Sequence, residues 1–335
     1  MRLPAPRGPI TALLFDHLPT GPHALPPAPP AGPDDPFQDE DLQLALFACY
    51  EIHYRGFDNV PETWEWHPSL IAFRTRLEDR FERRLGVLVP PRVGMTDVPG
   101  ALARLVETAD GPSLATFVQR EATLEQFREF VRHRSIYQLK EADPHSWAIP
   151  RLSGPAKAAL VEIQADEYGG GRPELMHAEL FRTTMRGLGL DDTYGAYLDV
   201  VPAITLAVNN LMSFFGLHRR RIGALVGHLA AFEMTSSQPN RRYSAGLARL
   251  GADRTTRRFY DEHVQADAVH EQLAAHDLAG RLAAQRPELA ADVIFGAASC
   301  LAVERLFAEH LLACWSAGSS SLRSGRTAVR APAAG

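Results

Sequence analysis

Apolar residues recur at intervals of three and four positions through most of the chain between residues 38 and 315. Such spacing places them on one face of an α-helix. We find no convincing run of alternating apolar and polar residues, as a half-buried strand would show, and no internal repeat. The pattern therefore predicts an all-α protein, with helices near residues 38–54, 68–86, 98–108, 122–142, 155–168, 173–188, 192–216, 219–235, 254–283 and 287–315.

Helix-breaking residues support this division. Pro144, Pro150 and Pro155 punctuate one gap, Gly169 to Gly171 another, and the stretch 238–240 (Gln-Pro-Asn) a third. Proline and glycine end helices because proline lacks an amide hydrogen and glycine loses more backbone entropy than other residues. We expect a bundle of about seven core helices behind a helical N-terminal extension.

Composition divides the chain into four parts. Residues 1–36 are rich in proline and glycine, and residues 317–335 form a low-complexity tail, so we predict disorder at both ends. Residues 37–110 are the predicted helical extension and residues 111–316 the predicted core domain. The loop between Gly86 and Val98 separates the two in this interpretation.

Composition also narrows the function. The 335 residues carry a formal net charge of −5, which gives no field attracting nucleic acid. The three cysteines form no CxxC, so a thiolate zinc site or a disulfide framework is not expected. Because no apolar stretch approaches ~20 residues, no membrane span is expected. A cytoplasmic location is the default expectation.

The predicted helix over 254–283 carries the first chemical pattern. His263, Asp267 and His270 are separated by four and three residues, which puts them within an arc of about 60° on one apolar helix face. Burying these groups unpaired would cost free energy, and a metal ion would offset that cost. The alternative is that Asp267 orients a core histidine; from this helix alone the two interpretations are equally good.

Four other helices also place an acid or a histidine on an apolar stripe. Glu141 and Glu233 continue the stripes of their helices, His177 shares a face with leucine and phenylalanine, and Glu167 precedes the triple glycine. Each has an ordinary explanation. Glu141 could pair with Arg134, the other two glutamates could be solvated at helix ends, and His177 could be a core histidine.

These residues together are stronger evidence for a metal site than any one of them alone. They are four carboxylates and three imidazoles: Glu141, Glu167, Glu233, Asp267, His177, His263 and His270. Mixed nitrogen and oxygen ligands without thiolate suit iron or manganese. Seven ligands exceed the needs of one four-coordinate ion, and helical bundles commonly build dinuclear carboxylate sites in their cores. The pattern predicts a dinuclear metal site.

The order and spacing of these residues resemble those of the haem-oxygenase-like di-iron oxidases and oxygenases, a family also described as iron-containing redox enzymes. Its members carry a glutamate, then Glu-x9-His, then another glutamate, then His-x3-Asp-x2-His. Here the matching residues are Glu141, Glu167 with His177, Glu233, and His263 with Asp267 and His270. Asp166 could compete with its neighbour Glu167. The resemblance covers roughly residues 115–315.

This resemblance implies a haem-oxygenase-like fold and two iron ions that cycle between Fe(II) and Fe(III), with O2 as co-substrate. It implies N-oxygenation, C–H desaturation or oxidative C–C cleavage of a small molecule resembling an amino acid or a fatty acid. An electron donor and a homodimer are further expectations. The alternatives are a haem-oxygenase-type haem binder and a non-enzymatic metal-binding or scaffold protein.

Several side chains are candidates for a substrate pocket beside the metals, although ordinary core packing would also explain the apolar ones. They are Arg134, which could hold a substrate carboxylate, and Tyr137, Trp147, Phe181, Met212, Phe215 and Phe232. Glu51 and His53 are two residues apart and so lie on different helix faces, which excludes them as a ligand pair. His145 and His228 have no partner at ligand spacing, and we predict a structural role for both.

Overall fold

The computed structural model describes residues 1–30, 32, 35–90 and 97–324, except the side chains of 265–268. The all-α prediction is confirmed: these residues form helices and turns, with no strand among them. The α-helices are α1 (Pro9–His17), α2 (Glu40–Glu51), α3 (Pro68–Leu88), α4 (Val98–Glu107), α5 (Leu114–Arg120), α6 (Leu124–Gln138), α7 (Asp143–Ser146), α8 (Gly154–Glu167), α9 (His177–Gly187), α10 (Ala203–Leu217), α11 (Ile222–Arg249), α12 (Arg254–Gln272), α13 (Arg281–Gln285) and α14 (Ala290–Ser316).

Helices α10, α11 and α14 form the centre of the molecule. Helix α11 packs along α12 on one side and α14 on another, and α5 crosses its far end. In α10 every residue from Ala203 to Gly216 is buried. A helix that is buried on every face belongs in the interior, and α10 lies between α2, α14 and α11.

Two predicted helix boundaries are wrong by more than ten residues. Helix α11 runs through Pro239 to Arg249, although the proline was expected to end it. Helix α11 packs against α14 before that residue, at Gly227, and against α5 after it, at Gly246, and this packing outweighs the lost backbone hydrogen bond. Helix α10 begins at Ala203 rather than near 192, because residues 192–202 form turns that end at Pro202.

The predicted disorder of residues 1–36 is also wrong for the first part of that segment. Residues 9–17 form α1, and the side chains of Ile10 and Leu14 are fully buried. The Asp41 carboxylate on α2 accepts hydrogen bonds from the Ile10 and Thr11 amides at 2.7 and 2.8 Å. A partner about thirty residues away therefore caps this helix, which local composition does not indicate.

The start of the predicted C-terminal tail is ordered as well. Glu129 on α6 accepts hydrogen bonds from the Ser321 amide at 2.9 Å and the Ser321 hydroxyl at 2.6 Å. Its carboxylate also accepts one from the Trp315 indole at 2.9 Å. Residues 317–324 are thus fixed to the bundle, whereas the prediction for 325–335 lies outside the described residues.

The helical extension is packed onto the core. Helix α2 lies against α10, and α4 lies against α11 and α14. The division at residue 110 stays a prediction. Helix α12 continues into a π-helical segment, Leu273–Gly280, whose buried Leu278 faces the bundle and which packs against α8. Among the described residues, no helix combines the length and apolar character that crossing a membrane requires.

Candidate metal centre

The end of α8 and the start of α9 bring two predicted ligands together. Glu167 is the last residue of α8 and His177 the first of α9. Between them Gly169, Gly170 and Gly171 all have positive φ (67°, 58° and 80°), a conformation that side chains disfavour. After this turn, His177 Nδ1 lies 2.9 Å from Glu167 Oε2.

Glu141 enters the site from a turn rather than from a helix. Helix α6 ends at Gln138, before the predicted residue 142. Glu141 Oε1 lies 3.5 Å from His263 Nε2 on α12. The His263 ring also lies beside His177, with ring centroids 4.3 Å apart.

Glu233 and His270 form the remaining pair. Glu233 Oε2 on α11 lies 3.4 Å from His270 Nδ1 on α12, and both side chains are buried. His270 Nε2 contacts Asp166 Oδ2 at 3.0 Å, and Asp166 is 61% exposed. Asp166 therefore lies outside the buried cluster, on the solvent side of His270, while Glu167 points inward.

These residues form two groups that have one member in common. In each group the potential ligand atoms all lie within 4.8 Å of one another. The first group is Glu141, Glu167, His177 and His263, and the second is Glu167, Glu233 and His270. A carboxylate has two oxygens and can bridge two cations. The arrangement therefore offers two groups of potential metal ligands that have Glu167 in common.

Hydrogen bonds orient two of the imidazoles for coordination. His263 Nδ1 donates to the Phe259 carbonyl at 2.8 Å, which leaves the Nε2 lone pair facing Glu141. His270 Nε2 donates to Asp166, which leaves Nδ1 facing Glu233. Metal-binding histidines usually donate their second ring nitrogen to a carbonyl or carboxylate in this way.

The electrostatics of the cluster favour a cation. Burial raises the pKa of Glu141, of Glu167 and of Glu233, since a charged carboxylate is costly in the interior. Burial opposes the charge of His270, but hydrogen bonding and charge from Glu233, with Asp166, raise its pKa to about 9. The contact between Glu167 Oε2 and His177 Nδ1 lacks hydrogen-bond geometry, and this buried oxygen has no hydrogen bond in the described part of the chain. A bound cation would satisfy that oxygen and stabilise all three carboxylates.

A cavity of about 530 Å³ opens from this cluster. Glu141, Glu167, Glu233 and His263 lie in its wall. The volume falls in the range typical of small-molecule sites, roughly 300–1,000 Å³. The cluster is thus accessible to a small molecule from one side.

The four main pocket candidates all line this cavity: Arg134, Tyr137, Phe181 and Phe232. The Tyr137 and Phe232 rings meet edge to face with centroids 5.6 Å apart. Trp147, Met212 and Phe215 are not among the lining residues that the structure describes, and they pack elsewhere in the core.

Arg134 has a partner that the sequence did not suggest. Its two terminal nitrogens donate to the two Glu304 carboxylate oxygens at 2.8 and 2.7 Å. The alternative in which Arg134 pairs with Glu141 is therefore wrong. Glu304 lies on α14, 170 positions further along the chain, and such pairs leave no local signal.

Sequence reasoning also missed a neighbour of Glu141. With its amide nitrogen turned toward Glu141, Gln138 donates to both carboxylate oxygens at 2.6 and 3.2 Å. The spacing of three residues was a usable signal. The side chain of Asp267, in contrast, lies outside the described residues, and its predicted role as a ligand stays a prediction.

The model of the family described as iron-containing redox enzymes matches residues 128–305, more than half of the chain. This chain belongs to that family. The matched region contains every predicted ligand and has the all-α, haem-oxygenase-like fold that the resemblance implied.

One curated relative is similar over a shorter stretch. Over 136 residues, 41% of this chain, the sequence is 26% identical to nitrosourea synthase from Streptomyces achromogenes subsp. streptozoticus. The match covers 29% of that protein, so the chain spans less than a third of the relative's length. Family membership identifies the chain as an iron-containing redox protein, and the relative's name as a synthase supports an enzymatic role.

Proposed function

We propose that this protein is a non-haem di-iron enzyme that uses O2 to oxidise a small molecule. The observation that carries the proposal is the position of Glu167, common to two groups of potential ligands. One ion would be held by Glu141, His177 and His263, the other by Glu233 and His270, with Glu167 between them. Asp267 completes the ligand set in this proposal.

The donor set fits iron. Carboxylates and imidazoles without thiolate suit this metal, and the family is described by its iron. When bound, iron supplies the redox chemistry that lets O2 react with an organic substrate. The buried carboxylates offset the positive charge of the ions, and the hydrogen bonds of His263 and His270 hold their rings in a coordinating orientation.

The cavity wall would bind and orient the substrate. The ring of Phe181, fully buried, and that of Phe232 exclude water beside the ligands. Burial, together with the nearby charges of Glu141 and Glu167, raises the pKa of Tyr137 well above its usual value. Its hydroxyl therefore stays protonated and can donate a hydrogen bond.

The proposed substrate class rests on the resemblance in ligand order and spacing rather than on the cavity. We propose N-oxygenation, C–H desaturation or oxidative C–C cleavage of a molecule resembling an amino acid or a fatty acid. Similarity to a protein named nitrosourea synthase favours oxidation at nitrogen among these. An external electron donor, a homodimer and a cytoplasmic location belong to the same proposal.

The alternatives account for fewer of the observations. A haem iron takes one proximal histidine from the protein, which would leave Glu141, Glu167 and Glu233 buried without a function. A scaffold role would give no reason to bury three carboxylates beside three imidazoles. The di-iron proposal gives each of them a cation.

Anaerobic loading with Fe(II) tests the proposal. Iron counting and Mössbauer spectroscopy should show two ions per chain, and an O2 pulse should then be consumed with oxidation of the iron. His133→Gln is a suitable control, because His133 is buried but bonds to Thr205 and Ser321 outside the cluster. Fewer than one iron per chain, or equal iron in the wild type and in Glu233→Ala, would reject the proposal. So would haem copurifying at one per chain.

A further inference from the structure

Glu141 is the one predicted ligand with a described side chain that lies in a turn outside the regular helices. The next residue, Ala142, has φ of 73°, in the left-handed region, and it is the sole non-glycine residue in the described ranges with positive φ. This conformation is strained for a residue with a Cβ. Contacts around the turn must therefore hold it in place.

Helix α8 supplies one set of these contacts. The Gln164 side-chain amide donates to the Ala142 carbonyl at 2.9 Å and to the Ser146 hydroxyl at 2.8 Å. The Tyr168 hydroxyl donates to Asp143 Oδ1 at 2.9 Å. These bonds tie the turn to the helix that carries Glu167.

The N-terminal extension supplies the other set, although the family match begins only at residue 128. Lys140 Nζ, immediately before Glu141, lies 3.1 Å from Glu51 Oε2 at the end of α2. Arg55, one turn further along, donates to the Leu139 carbonyl at 3.0 Å and lies 3.6 Å from Asp143 Oδ2. The extension thus contacts the turn on both sides of Glu141.

The ion pair between Glu51 and Lys140 is deeply buried, with side chains 0% and 2% exposed. Tyr194 also donates its hydroxyl to Glu51 Oε2 at 2.7 Å. Buried ion pairs contribute little net stability, because desolvation offsets their attraction, but losing one partner leaves an uncompensated charge. Such a pair can fix a position in the fold.

We propose that the N-terminal extension positions the metal ligand Glu141, with Glu51 and Arg55 as its positioning residues. Glu51 fixes Lys140, Arg55 fixes the backbone and Asp143, and the turn between them presents the Glu141 carboxylate to His263. This inference rests on the proposed metal centre. It gives the extension a role in metal binding beyond packing.

Anaerobic Fe(II) titration of the full chain tests it, with iron stoichiometry, affinity and melting temperature measured for each variant. The variants are Glu51→Gln, Arg55→Ala and the control Glu78→Gln. Glu78 is also a buried acid of the extension, 3% exposed, and contacts Arg74 and His218 rather than the turn. Residues that support metal ligands typically change affinity about 10–100-fold. We expect Glu51→Gln to weaken one of the two iron sites at least tenfold.

Glu78→Gln should lower the melting temperature to a similar extent while both iron sites keep wild-type affinity. The inference would be overturned if both iron sites kept wild-type affinity in Glu51→Gln and in Arg55→Ala. It would also be overturned if Glu78→Gln lost as much iron affinity as those variants. Either outcome would leave the di-iron proposal intact. A wild type that binds no iron would overturn both. If Glu51→Gln fails to fold, Arg55→Ala decides the matter, because the Arg55 side chain is 43% exposed.

Discussion

Two clusters of buried histidines differ in what faces them. In the candidate metal centre, His177, His263 and His270 each have a glutamate oxygen between 2.9 and 3.5 Å away. His145 and His228 instead face each other, with Nε2 of one 3.2 Å from Nδ1 of the other. Both clusters lie at the interior, and His145 also lines the cavity.

The difference is visible in the pKa values. The neighbouring carboxylates raise the pKa of His270 to about 9 against the effect of burial. Burial lowers the pKa of His145 to about 3 and that of His228 well below its usual value. The buried carboxylates, rather than the histidines, therefore create the requirement for a cation.

The largest effect is expected from the carboxylate common to both groups. Glu167→Ala should remove both iron ions, with affinity at least about 100-fold weaker, since even supporting residues cost up to that factor. Glu162→Ala on the exposed face of the same helix is the matched control. Iron counting after anaerobic loading measures the difference. Retention of one tightly bound ion by Glu167→Ala would show that the two groups are independent.

A smaller effect should separate the two histidine clusters. His263→Gln should weaken iron binding at least tenfold at one site. His145→Gln should leave iron binding within about twofold of the wild type, because coordination depends on the carboxylates and His145 faces a histidine. Fe(II) titration of both variants is the measurement. Equal losses of iron affinity in the two variants would show that the two histidine clusters do not differ in metal binding.

The next largest effect is a loss of folding stability in acid, which the His145–His228 cluster should cause. Because the folded pKa of His145 lies near 3 and the unfolded value near 6.5, protons bind the unfolded chain preferentially below pH 6.5. His145 therefore leaves the free energy of unfolding undiminished above pH 6.5 and lowers it as the pH drops toward 3. Between pH 7 and pH 5 we expect a loss of about 1–2 kcal/mol per histidine. Urea unfolding should show a smaller loss in His145→Gln; an identical pH dependence would contradict this account.

The smallest effect concerns the exposed end of the metal centre. Asp166→Asn removes the charge that receives the His270 Nε2 hydrogen bond, but Asp166 is 61% exposed. Solvent-exposed ion pairs contribute at most about 1 kcal/mol, so iron affinity should fall less than about fivefold. A Fe(II) titration with a loss as large as that of His263→Gln would mean that Asp166 itself is a ligand.

Local periodicity was sufficient for most of the long helices and for the faces that carry the candidate ligands. It placed His263 and His270 on one stripe of α12, and the structure brings that stripe to Glu141 and Glu233 on other elements. Each of those side chains interrupts an apolar pattern. Because burying a charge costs free energy, such an interruption indicates a functional or structural partner. Their convergence could therefore be predicted without knowing the helix packing.

Long-range partners could not be predicted in this way. Pairs such as Arg134 with Glu304 and Lys140 with Glu51 depend on how helices pack, and neither partner's local sequence indicates the other. Glu51 was excluded as a metal ligand, and its contact with Lys140 was not foreseen. The capping of α1 by Asp41 was missed for the same reason, since proline content is a property of the segment alone.

The π-helical segment Leu273–Gly280 begins three residues after His270, the last predicted ligand on α12. Its wider turns accommodate more residues per turn than a regular α-helix, where each residue advances by about 100°. The side-chain faces of α12 and α13 therefore do not follow the register of one continuous α-helix. A one-residue insertion or deletion in this segment would rotate the face of α12 that carries His263 and His270 while α13 keeps its contacts with α14.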